Sequence, residues 1–163
     1  MKTFLKHLLH AFLNKDELIS VTDQEIILKQ TGYLEASSYT ANVDTVLFNI
    51  IRCEDKVVLG RCELRLGFND DIYYLGQIGY SVVPKYRGHN YAFKASKLLL
   101  SLAYNAYGMK EVIITCSPNN LASYKTLLKL NGELLEIVKV PKSHYLYQNN
   151  EKEKCIFRYI LKE

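Results

Sequence analysis

Tyr86-Arg87-Gly88-His89-Asn90-Tyr91-Ala92 stands between an extended apolar run, residues 78–83, and a long segment, residues 92–107. Around that segment Tyr91, Ala95, Leu98, Leu99, Leu102, Ala103 and Ala106 recur at helical spacing. A strand that turns through a basic, Gly-containing loop into a helix makes an anion site. The first backbone N–H groups of the helix lack intrahelical partners, and the macrodipole adds partial positive charge there. Such a turn can hold a diphosphate with main-chain atoms alone.

Upstream of this turn the chain reads as strands. Residues 25–30 form a short apolar run, 44–53 are rich in Val, Ile and Phe, and 57–66 follow after Glu54-Asp55-Lys56, so the last two read as a hairpin. Residues 67–71 read as a second turn, and 72–83 as a third long strand ended by Pro84. Downstream, Gly108 suits a helix C-cap. Residues 111–116 make a compact apolar strand. Ser117-Pro118-Asn119-Asn120 carries helix-start chemistry, with a Pro suited to the first position, and the helix runs to Leu130 before Asn131-Gly132. Residues 133–140 and 154–161 close the chain as two strands around a polar loop. This order predicts an α+β fold with mixed, mostly antiparallel pairing.

The 163 residues suit one domain, 1–163, with an ordinary hydrophobic content of 48% and 23% charged residues. A net charge of +4 without basic runs argues against a nucleic-acid partner. Cys53, Cys62, Cys116 and Cys155 form no CxxC, and no His lies at ligand spacing, so no metal site is expected. Cys53 and Cys62 could face each other across the hairpin, but free buried thiols in a cytoplasmic protein are the expectation. Within residues 1–16, Phe4, Leu8 and Phe12, and Leu5, Leu9 and Leu13, repeat every four residues as in an amphipathic helix. It is too short to span a bilayer, and lying on a membrane surface is the lesser alternative, so no membrane partner is assigned. Docking on its own domain or on a second subunit is expected of it, and a homodimer is reasonable.

From about residue 43 onward the chain resembles a GCN5-related N-acetyltransferase. The likeness rests on Arg87-Gly88-His89-Asn90-Tyr91-Ala92 after the strand Ile78-Gly79-Tyr80-Ser81-Val82-Val83. It rests equally on Ser117-Pro118-Asn119-Asn120-Leu121-Ala122-Ser123 followed by Lys129-Leu130-Asn131-Gly132. The resemblance implies acetyl-CoA as cosubstrate and direct transfer to an amine, on a small molecule or a peptide. It implies pantetheine pairing along Val82 and Val83, pyrophosphate on the N–H groups of Arg87, Gly88, His89, Asn90, Tyr91 and Ala92, and a hydrogen bond from Asn120 to the pantetheine arm.

Two positions depart from the family pattern. Asn90 replaces a usual Gly, and Asn is among the residues that best tolerate positive φ. Leu127 stands where many members place a Tyr that protonates the departing thiolate. Tyr124, three residues earlier on nearly the same face, is the candidate acid, with packing beside the cofactor as the other reading. If no acid exists, the chain is instead a CoA-binding sensor or partner module without turnover.

Glu63 is the candidate base. Arg61 and Arg65 share its strand face and would hold it ionised, so an ion-paired surface role stands beside the catalytic one. Asp70 and Asp71 could attract a cationic amine or simply be solvated. Cys116 ends the strand before the second motif, as a ping-pong nucleophile or a packed thiol. His89 either adds a phosphate contact or faces solvent. His144, Tyr145 and Tyr147 either line the acceptor pocket or pack on the domain edge.

Overall fold

The computed structural model describes residues 18–162. The expected helix at residues 1–16 lies outside them. The chain runs as β1 (Ser20–Thr22), β2 (Ile26–Leu34), a 3-10 turn (Ser38–Thr40), β3 (Thr45–Arg52), β4 (Val58–Arg65), α1 (Asp70–Leu75), β5 (Ile78–Val82) and a second 3-10 turn (Pro84–Tyr86). Then follow α2 (Tyr91–Asn105), β6 (Glu111–Cys116), α3 (Leu121–Lys129), β7 (Glu133–Lys139), α4 (Tyr145–Gln148) and β8 (Glu153–Ile160). The α+β class and the antiparallel pairing hold, but the strands divide into two sheets, β1-β2-β3-β4-β5 and β6-β8-β7.

Where the sheets meet, the Gln77 N–H donates to Ile113 O at 2.7 Å and the Gln77 side chain accepts from the Ile113 N–H at 2.9 Å. Beyond that point β5 and β6 share no ladder. Two polar strand edges are left open to whatever enters between them, and such edges seek hydrogen-bond partners.

The core sits between the first sheet and α2. Ala95, Leu98, Leu99, Leu102 and Ala103 face it at intervals of three and four, against Leu28, Phe48, Ile50 and Leu64. The helix ends as its sequence suggests. Gly108, at φ +63°, donates to Tyr104 O, and the Met109 N–H donates to Ala103 O.

One expectation fails in the fold. Residues 72–83 are not one strand, because Asp70–Leu75 coil into α1 before β5 begins. Asn69 Oδ1 accepts from the Ile72 N–H at 2.9 Å, and Asp70 and Asp71 fill the first turn. That is helix-start chemistry, and it outweighs the strand preference of Ile72, Tyr73 and Tyr74. Gly76, at φ +81°, then turns the chain into β5. Pro118 also does not open α3; Asn120 is the cap and Leu121 the first helical residue.

Candidate functional site

Two cavities open along the seam between the sheets. The smaller, about 560 Å³, lies between the turn at Arg87 and helix α3. The larger, about 830 Å³, lies between β4, β5 and the start of β8. Tyr80, Ser81, Asn120 and Ser123 border both, so the two spaces join there.

The smaller cavity has the N-terminal mouth of α2 on its wall. Arg87, Gly88, Asn90, Tyr91 and Ala92 line it. Asn90 takes φ +60°, as the sequence anticipated for a non-Gly residue at this point. Its Oδ1 accepts from Lys129 Nζ at 3.1 Å, which ties the turn to the end of α3. Lys125 and Lys129 border the same space. Amide N–H groups, a helix mouth and two ammonium groups suit a polyanionic ligand such as a diphosphate.

Three of the expected binding positions differ in detail. The Arg87 N–H is used by Pro84 O, and the Arg87 guanidinium donates back to Val82 O at 3.0 Å. His89 does not line the cavity. Its Nδ1 lies 3.0 Å from Arg87 O, and its ring stacks on Tyr91. Val82 borders the cavity, whereas Val83 is exposed outside it with its N–H on Leu59 O. Asn120 spends Oδ1 on the Ser123 N–H as the α3 cap, which leaves its amide NH₂ for a ligand.

At the junction the Tyr80 hydroxyl lies 2.7 Å from Ser123 Oγ. Burial pushes the Tyr80 phenol above its ordinary value, and the Ser123 hydrogen bond pulls it back only in part. The phenol is therefore a proton donor throughout the neutral range. Tyr124 is not placed for that role. Its ring packs edge-on against Phe157, and it borders neither cavity. Leu127 is fully buried, and the half-buried Tyr124 packs against the same core. Asn120 and Ser123 hold the cavity face instead.

The larger cavity carries paired charges. Glu63 binds Arg65, whose Nη1 also donates to Gly76 O at 2.9 Å. Glu63 lies flat against Gly79, where an added Cβ would come within 2.7 Å of Oε1 and push the carboxylate aside. Glu151 binds Lys154 and accepts from the Ser117 hydroxyl at 2.8 Å. Burial works to raise its pKa, but the Lys154 and Ser117 hydrogen bonds outweigh that and hold its carboxyl below the usual range.

Cys116 lines this cavity too, and burial pushes its thiol up to about 12, chiefly by desolvation. A thiol with so little thiolate is a poor nucleophile at neutral pH. The Cys53–Cys62 facing is not observed. Cys62 pairs with Phe48 and Tyr80, while Cys53 lies beside Thr22, and Cys116 opposes Cys155 across the β6–β8 ladder instead. All four cysteines are free. Among the described residues no group of His, Cys, Asp and Glu gathers to hold a metal.

His144 stands apart from the larger cavity. It stacks on Tyr145 and borders a third cavity of about 350 Å³ with Asp70 and Asp71. Tyr147 lines none of the three.

Sequence reading thus missed Tyr80, Ser123, Glu151 and Lys154. Two of them had a signal. Tyr80 shares a strand face with Val82, and Ser123 a helix face with Asn120. Glu151 and Lys154 belong to an unremarkable polar loop and strand start.

The acetyltransferase (GNAT) domain family matches residues 6–133. An uncharacterized N-acetyltransferase, YnaD of Bacillus subtilis (strain 168), is 25% identical over 83 residues, which are 51% of this chain and 47% of that protein. The chain thus spans about half the length of that relative. A ribosomal-protein-S5-alanine acetyltransferase from Vibrio fischeri superposes with a TM-score of 0.64 at 13% identity, over 87% of this chain and 96% of its own. The microcin C7 self-immunity acetyltransferase MccE, solved in complex with acetyl-CoA and AMP, superposes at 0.53 and 15% identity, over 72% of this chain and 61% of its own. With the family's domain matched over most of its length, and its two motifs meeting at one seam between the sheets, the chain belongs to the GNAT acetyltransferases.

Proposed function

We propose that this protein moves an acetyl group from acetyl-CoA directly to an amine. The observation that carries this is the junction of two cavities at Tyr80, Ser81, Asn120 and Ser123, one suited to a diphosphate and the other to an acceptor. Acetyl-CoA would lay its diphosphate at the mouth of α2 and its pantetheine arm along the open edge of β5, with its thioester at the junction.

In the reaction the amine nitrogen forms a bond to the thioester carbonyl carbon and the C–S bond breaks. The thiolate needs a proton, which the paired Tyr80 and Ser123 hydroxyls can deliver. The amine must shed a proton too. Glu63 is assigned to receive the amine N–H through the oxygen that Arg65 does not hold, and water in the open cavity carries the proton away. The Asn120 amide holds the pantetheine arm. The unreactive state of Cys116 favours direct transfer over an acetyl-cysteine intermediate.

Leu127 had favoured a binding module without turnover. Leu127 is buried in the core, and two hydroxyls at the junction offer the proton donor that it lacks, which supports the transferase reading. We assign the reaction to the cytoplasm, where four free thiols persist. Calorimetry with acetyl-CoA, followed by free-thiol release across a panel of amines, tests the reading. Binding with turnover supports it; binding without release for any amine leaves a CoA-binding module.

A further inference from the structure

The larger cavity carries five charged side chains, and their pairing decides which acceptors suit it. Glu63 is engaged by Arg65 and Glu151 by Lys154. Both cations are deeply set, with side chains 11% and 8% exposed. Neither can release its carboxylate without leaving a buried charge unpaired, which is strongly unfavourable. The fifth charge, Arg61, is exposed at the cavity and has no acidic partner among the described residues. The lining therefore holds three cations against two engaged carboxylates.

Arg61 also sits on the strand beside the junction of the two cavities. It is the ladder partner of Ser81, and Ser81 borders both cavities. Directly opposed residues of an antiparallel pair have Cα atoms only about 4.5–5.5 Å apart.

A polyamine would bring further ammonium groups into this lining after the first had met Glu63. Only the Glu151 carboxylate, already shared by Lys154 and Ser117, would remain to receive them, and a charge taken from water without a full partner is costly. A carboxylate on the acceptor would meet a planar guanidinium with donors to spare.

We propose that the acceptor is a small amine carrying a carboxylate near the reacting nitrogen, with Arg61 as the residue that selects it. This rests on the transferase reading above. Free amino acids and very short peptides share that chemistry, and Arg61 excludes polyamines by the same charge.

The test is free-thiol release from acetyl-CoA by the whole chain with three sets of acceptors: the standard amino acids, their amides, and dipeptides, with spermidine as the cationic control. The best amino acid or dipeptide should exceed its amide in kcat/KM by at least about tenfold, the scale of one charge-assisted pair, with spermidine slower still. Preference between the first and third sets identifies the source. Arg61→Ala should bring the ratio of acid to amide toward one, and Arg61→Lys should keep part of it. Arg61 is exposed, so thermal unfolding of both variants should match the parent. Equal use of acids and amides, spermidine as the best acceptor, or a ratio untouched by Arg61→Ala overturns this proposal and leaves the transferase reading standing. Acetyl-CoA binding without thiol release from any amine fails the transferase reading instead, and this one with it.

Discussion

The Tyr80 hydroxyl and Ser123 Oγ lie 2.7 Å apart across 43 positions of sequence, joining β5 to α3 where the two cavities meet. Removing either hydroxyl should slow transfer without loosening the cosubstrate. Tyr80→Phe or Ser123→Ala should each lower kcat about 10²-fold, with the acetyl-CoA dissociation constant nearly unmoved. Tyr124→Phe should keep most of the activity, since its ring faces Phe157. Steady-state kinetics of the three variants, with calorimetry alongside, checks this; a larger loss from Tyr124→Phe returns the acid role to Tyr124.

The same pair sets the pH profile. Burial keeps the Tyr80 phenol protonated above its ordinary value, so raising the pH does not remove the donor across the working range. The acceptor amine, meanwhile, becomes reactive as it loses its proton. The rate should climb with pH and show no falling limb below about pH 10. A descending limb near pH 8 would assign the proton to another group.

Asn90 holds positive φ and receives Lys129. A β-branched residue is strained there and offers Lys129 nothing. Asn90→Val should weaken acetyl-CoA binding at least about tenfold, equivalent to some 1.4 kcal/mol, whereas Asn90→Gly should stay close to the parent. Calorimetric titration of both variants decides it; unchanged affinity in the Val variant would remove the turn from the binding site.

The four thiols should react in order of access. Cys53 is half-exposed, while Cys62, Cys116 and Cys155 are buried. Burial pushes Cys116 up to about 12. Alkylation of the folded protein near neutral pH, followed by mass mapping, should mark Cys53 first. Acetyl-CoA incubated without acceptor should leave no acetyl group on Cys116. A stable acetyl-cysteine there would restore the two-step mechanism.

Leu127 should behave as a core residue. Leu127→Ala should cost about 2–5 kcal/mol of stability, read by urea unfolding. A loss of activity at full stability would contradict its place in the core.

Much of the site could be read before any folding. The turn at 86–92, the left-handed Asn90, the Asn120 cap and the Gly108 terminator all depend on residues adjacent in the chain, and local steric and hydrogen-bond rules apply to them directly. Helix α1 was legible in the same way, since Asn69-Asp70-Asp71 is cap chemistry. The tyrosines that follow favour strands, which gives the same stretch the look of a turn before a strand. Tyr124 and Ser123 differ by one position, and the structure sets the Tyr124 ring against Phe157 and Ser123 at the cavities. On a helix of 3.6 residues per turn, one position is a rotation of about 100°, and the buried Leu127 marks which side is the core.

Sequence alone therefore determined the strand–turn–helix unit, the second capped helix and the family pattern they compose, because each is written within a few neighbouring residues. Folding had to supply the rest. Whether Glu63 and Glu151 are free or engaged, whether Ser123 meets Tyr80, and whether Arg61 finds an acidic partner among the described residues depend on side chains brought together from distant strands. Charge pairing and burial are properties of that packing, and linear spacing does not encode them.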